Sequence, residues 1–145
     1  MKLKDLPVVV LIVLTLPLAA CGAAPAEAAP PDTAVTVVPI DGSELSAVVL
    51  SEKAIDRLGI ETTAVRAGTD GGTVVPYAAV LYDETGGTWV FTNPKGLEYL
   101  RAPIVVDTIV GDDARLTQGP PVGTRVVTVG VAELYGAEQG VGDPE

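Results

Sequence analysis

From residue 45 onward, every apolar run in this chain is stopped within the length of a short strand by glycine, proline or an acidic residue. Punctuation of that kind favours several short strands joined by tight turns. Residues 47–50 form a first candidate strand. Ser51 is a good helix N-cap, Ile55 and Leu58 fall three apart on one face, and Gly59 suits a left-handed C-terminal turn. A helix starting at Glu52 is therefore expected, and at two turns it must pack on something to hold. Extended character resumes over residues 60–65, and residues 67–72 read as a loop.

Residues 74–82 and 88–92 flank Asp83-Glu84-Thr85-Gly86-Gly87, the pattern of a hairpin with a five-residue loop. Trp89 and Phe91 share one face of its second strand and are expected in the core. After Pro103, residues Ile104, Val106 and Val110 share one side of a strand while Val105 and Ile109 take the other, which predicts partial burial of both faces. Asp112-Asp113 mark a turn, residues 125–129 a last strand, and residues 131–135 a turn of helix. The expected fold is mainly β, a small β-barrel or β-roll with one or two short helices, over residues 37–136. Residues 137–145 read as a flexible Gly-rich tail.

The N-terminus carries a different signal. Lys2 and Lys4 precede an apolar run over residues 8–18, broken by Thr15 and Pro17. That run is roughly a dozen residues, against about 20 for a membrane-spanning helix. A basic start, a short apolar stretch and small residues at its end are the pattern of a secretory signal. Leu18-Ala19-Ala20-Cys21-Gly22 resembles the bacterial lipobox, in which the cysteine sulfur receives a diacylglyceryl group and becomes the first residue after cleavage. The resemblance implies a signal peptide over 1–20, lipidation with fatty acyl chains such as palmitate at Cys21, and a place on the extracytoplasmic face of a bacterial membrane. Cys21 is the chain's one cysteine, so it has no disulfide partner within the chain. Each buried CH₂ contributes about 0.8 kcal/mol, so two or more acyl chains anchor stably where one is marginal. Residues 21–36, rich in Ala and Pro, read as a tether, and extended at ~3.1 Å per residue it would reach ~40 Å.

Charge and composition narrow the function. The chain carries a formal charge of −10; losing Lys2, Lys4 and Asp5 removes two positive charges and one negative, leaving about −11. Such a surface repels phosphate, which argues against nucleic acid and gives no attraction to anionic headgroups. A docking partner should present positive surface. There is no histidine, the one methionine is Met1, and Cys21 lies outside the domain. Thiolate catalysis, Cys/His zinc sites and soft copper sites thereby lose their ligands, and the usual general base near neutral pH is missing. The pairs Asp83-Glu84 and Asp112-Asp113 sit in turns, where carboxylates are ordinarily solvated, and their spacing is not that of an EF-hand or a glycosidase pair. Gly71-Gly72 and Gly86-Gly87 open no helix and read as turn glycines rather than a phosphate cradle. No cofactor, metal or catalytic residue is expected, and the protein is not expected to be an enzyme.

Four segments keep one order: 50–62, with Leu50-Ser51-Glu52 and Gly59-Ile60-Glu61-Thr62 at its ends; 75–81, Val-Pro-Tyr-Ala-Ala-Val-Leu; 87–91, Gly-Thr-Trp-Val-Phe; and 123–134, ending Gly130-Val131-Ala132-Glu133-Leu134. In this the chain resembles the C-terminal, membrane-proximal part of efflux-pump periplasmic adaptors, also called membrane fusion proteins. The family's lipoyl-like domain and long helical hairpin have no counterpart, since only residues 67–72 fill their place. Gly119-Pro120-Pro121 also departs from the family's turn. The resemblance implies a shortened adaptor-like accessory subunit that docks on a transporter of the resistance-nodulation-division or ABC type. Other expectations are a free-standing envelope lipoprotein that binds a solute or has a structural role, and, least, an envelope enzyme using carboxylates. Arg101 and Arg125 are candidates for a docking face, against the ordinary role of keeping a strand solvated. Trp89 and Tyr135 are the aromatics an interface would use as anchors, with core packing the more usual fate of Trp89.

Overall fold

The computed structural model describes residues 33–141. The chain divides into two units, Met1–Pro30 and Pro31–Glu145, and all that follows concerns the second. The expected signal peptide over 1–20, Cys21 and most of the tether lie outside the described residues, as do residues 142–145 of the tail.

In chain order the elements are β1 (Val35–Pro39), β2 (Ser46–Leu50), α1 (Glu52–Leu58), β3 (Glu61–Ala64), β4 (Arg66–Ala67), β5 (Thr73–Pro76), a single 3-10 turn (Tyr77–Ala79), β6 (Leu81–Tyr82), β7 (Thr88–Lys95), β8 (Glu98–Pro103), β9 (Val105–Val110), β10 (Asp113–Gln118), β11 (Arg125–Val129) and α2 (Val131–Glu138). The mainly β class expected from the sequence is the one observed, with 49% of the described residues in strands and two short helices among them. The strands form two antiparallel sheets. A large sheet runs β1-β2-β8-β7-β11-β3, with β6 added alongside β7, and a small sheet runs β4-β5-β10-β9. Both pairing paths are open-ended, which leaves the narrower expectation of a barrel or roll unsupported.

The large sheet is the middle layer. Successive strand residues point to opposite faces, and in β7 and β11 both faces are buried. Val90 and Val126 join Val75, Ala114 and Leu116 of the small sheet in one core. Their neighbours Phe91 and Val127 face the other way, against Ala54 of α1 and Leu134 of α2, with Val48, Leu50 and Tyr99. The chain passes between the sheets four times. At each passage a buried residue plugs the gap: Val65, Ala79, Ile104 and Pro120. Backbone groups there are paired, as Val65 N–H donates to the Thr124 carbonyl at 2.8 Å and Ile104 N–H to that of Thr88 at 2.9 Å.

Helix α1 starts and stops as its residues predict. The Ser51 hydroxyl accepts from Ala54 N–H at 3.2 Å, and Gly59 takes the left-handed conformation at φ 63°. Helix α2 begins at Gly130, whose φ of 92° favours glycine, and a Cβ there would sit 2.1 Å from Cδ1 of Ile60.

Several expectations are corrected. Residues 74–82 are not one strand: Pro76 cannot donate to a ladder, and the 3-10 turn after it carries the chain from the small sheet to the large one. The hairpin around 83–87 therefore keeps only β6 on its first side, with Leu81 opposite Trp89 and Tyr82 opposite Thr88. Strand β1 begins inside the stretch expected as tether, and the chain after the Asp112 turn forms a further strand, β10. The tail is helical through Glu138, and beyond it Val141 N–H returns to the Gly136 carbonyl at 2.8 Å. Strand β9 is not buried on both faces. It is the edge of the small sheet, with Val105, Ile109 and Val110 exposed by 45%, 44% and 56%, because β10 alone covers it.

Removing the Phe91 ring should cost about 3–5 kcal/mol and removing the Ser51 cap about 1 kcal/mol. Urea unfolding of Phe91→Ala and Ser51→Ala checks both; a loss below that of the cap variant for Phe91→Ala contradicts the layer assignment.

Candidate functional site

Arg101 is not on a docking face. It lies opposite Phe91 in the β8–β7 ladder, so it points toward the helices. Its side chain is 10% exposed, and it meets a Glu138 side chain that is 2% exposed, with Nε and Oε2 3.0 Å apart. Arg101 Nη2 donates to Glu138 Oε1 at 3.3 Å, and Ser46 N–H reaches the same oxygen at 3.5 Å. The Nε–Oε2 approach lies off the hydrogen-bond direction, so those two buried atoms are held by charge and not by a directed bond. The guanidinium sits 4.4 Å from the centre of the Trp89 ring and 5.4 Å from that of Tyr135. Both aromatics thus serve as walls for a cation. Trp89 is half-buried beside that charge rather than enclosed in the apolar core.

Tyr135 and Glu138 are three residues apart, hence on one face of α2. A carboxylate at a helix C-terminus opposes the helix dipole, and Arg101 offsets that. Taking both charges from water is costly, so the pair specifies where α2 ends more than it adds stability.

Asp83 is the second polar centre. Its carboxylate accepts from Thr85 N–H at 2.9 Å, Thr85 Oγ1 at 2.8 Å, Gly87 N–H at 2.7 Å and Trp89 Nε1 at 2.8 Å. Those bonds, led by the Thr85 hydroxyl and then the Trp89 indole, hold its carboxyl down to about 2 against partial desolvation. Asp83 is therefore the organiser of the β6–β7 turn, not one of an acid/base pair with Glu84, which is exposed. Asp112 lies in the β9–β10 turn, and Asp113, expected there too, is the first residue of β10. The Asp112 carbonyl accepts from Tyr77 N–H at 2.7 Å, and the Asp113 carboxylate pairs with Arg66. Gly86 is a turn glycine at φ 83°, as is Gly71 at φ 84°. Among the described residues, no group of three or more Cys, Asp or Glu side chains is placed to hold a metal, and no helix is long and apolar enough to cross a membrane.

The outer face of the small sheet is open and polar. Arg66, Val74, Arg115 and Thr108 line up across its four strands, and Pro76, Asp113 and Val110 form the next row. Arg66 pairs with Asp113, and Arg115 with Asp70 at 3.2 Å, all at the surface, where such pairs are worth little. Arg125 stands apart on the large sheet, where Nε donates to Thr62 Oγ1 at 2.9 Å and ties β11 to β3. On the helix side a shallow groove of about 470 Å³ is lined mainly by Val35, Leu50, Leu58, Leu134, Ala137 and Val141. No protein family, curated protein or solved structure matches the chain.

The sequence offered no sign that Arg101 would find Glu138, 37 residues on and in the stretch read as tail. Removing one partner leaves a buried unpaired charge, so Glu138→Ala should destabilise by about 3–5 kcal/mol, while Arg101→Met with Glu138→Leu should recover most of it. Chemical denaturation of the wild type and the two variants tests this, and a double variant no more stable than Glu138→Ala contradicts it. Because Asp83 has its carboxyl depressed from 3.8 to about 2, its contribution is present above about pH 4 and lost as pH falls from there toward 2. Asp83→Asn should flatten that part of the stability profile; an unchanged acid limb contradicts the assignment.

Proposed function

We propose that this chain is a lipoprotein held to the extracytoplasmic face of a membrane by acyl chains on Cys21, and that it acts as a shortened adaptor-like accessory subunit docking on a transporter. One observation carries the docking part. The four segments that resemble the adaptor family fall on α1 and the start of β3, on the end of β5 with the 3-10 turn and the start of β6, on β7, and on β11 with α2. Three of them lie on one half of the large sheet and its helical cover, and the fourth is the crossing that joins the small sheet to that half. The small sheet's open outer face, with Arg66 and Arg115, is the surface such a subunit has free for a partner.

A second reading, a free-standing envelope lipoprotein that captures an apolar solute, is favoured by the groove between α2, β1 and β2. One experiment separates the two. Wild type and Cys21→Ala are compared by membrane fractionation and intact mass, and the wild type is crosslinked in its native membrane. Lipid on the wild type, release of the variant and capture of a transporter are expected. Lipid without a transporter leaves the anchor standing and favours the solute-binding reading, while a wild type without lipid removes the anchor.

A further inference from the structure

We infer that two copies of this chain pair edge to edge through β9, joining their small sheets into one. The inference is independent of the anchor and of any transporter. Among the described residues strand β9 pairs only with β10, which leaves its other edge open, and three of its four apolar side chains are substantially exposed. The opposite edge of the small sheet, β4, has two residues and offers much less.

Its sequence is self-complementary. Val105-Val106-Asp107-Thr108-Ile109-Val110 places two apolar residues on each side of a polar centre. Antiparallel pairing about a two-fold axis sets Val105 opposite Val110 of the second copy, Val106 opposite its Ile109, and Asp107 opposite its Thr108. A bulge and a central charge usually make an edge refuse partners. Here the bulge makes the faces agree. Asp107 is the extra residue, between the Thr108–Arg115 and Val106–Leu116 pairs. Val106 and Ile109, opposite buried Leu116 and Ala114, consequently both face the inner side. Val110 and Thr108, opposite Asp113 and Arg115, face outward. The inner-face residues Val106 and Ile109 then match in the two-fold arrangement, as β-branched cross-strand pairs favour. Val105, opposite Gln118 beyond a second irregularity after Leu116, meets Val110 at the strand ends.

On the outer face Asp107 enters the row that holds Thr108 of the second copy, so each carboxylate meets a hydroxyl. Arg115, one strand further along that row, is paired with Asp70. One added strand pair buries less than a standard interface, so the dimer is weak in dilute solution.

The test uses the full chain carrying Cys21→Ser, which has no other thiol. One chain receives Val105→Cys and another Val110→Cys, both at exposed positions. Directly opposite residues lie about 4.5–5.5 Å apart, within disulfide reach, whereas 105 to 105 or 110 to 110 is displaced by five residues, about 17 Å. Mixing the two variants under mild oxidation should give disulfide-linked heterodimer at least tenfold above either variant alone. Adding Ile109→Arg to both should abolish that excess. Equal yields from mixed and single variants, no crosslink, or an excess that survives Ile109→Arg would each overturn the inference.

Discussion

The contact between Arg101 and Glu138 decides how the layers of this domain close. The large sheet needs cover on both faces, because β7 and β11 carry apolar residues at consecutive positions. The small sheet covers one face, and the other falls to α1 and α2, which are too short to be stable unpacked. Apolar contact through Leu134 alone is not directional. The buried ion pair, walled by Trp89 and Tyr135, fixes the end of α2 over β8 and, through Ser46, beside β2. Its cost in desolvation is traded for a defined position of the end of α2.

With the large sheet enclosed, the outer face and edge of the small sheet are the main regular surface left to water. Its character follows from topology more than from residue type. Ala114 and Leu116 face the core from β10, while Arg115 between them points out. Strand β9 carries apolar residues as β-branched as those of β11, yet it stays exposed because the chain turns at Gly111 and lays β10 on one side of it only. Among the described residues, the small sheet thus presents an open face with Arg66 and Arg115 and an edge strand without a second neighbour.

Local chemistry was legible in the sequence and long-range pairing was not. Ser51 and Gly59 delimit α1 because caps act within a few residues. Asp83 with its glycines marks the β6–β7 turn for the same reason. The alternation of Ala114 and Leu116 was present in β10 but short, and it directly follows an acidic turn. Strand β1, Val-Thr-Val-Val-Pro, is hidden by the Ala/Pro-rich stretch before it. Arg101 looks like any strand arginine until Glu138 is brought to it from across the domain. The burial forecast for residues 104–110 failed because the apolar pattern names faces, and only the sheet order says whether anything covers them. Cys21, the most specific functional signal in the chain, lies outside the described residues.

Amide hydrogen exchange of the full chain, with wild type and Glu138→Gln compared, tests the central claim most directly. In wild type, the amides of α2 should be protected nearly as well as those of β7 and β11. In the variant, protection should fall across α2 and near Ser46 while β7 and β11 hold theirs. Residues 131–138 exchanging freely in wild type, or unchanged protection in the variant, would contradict an ion pair that sets the helix on the sheet.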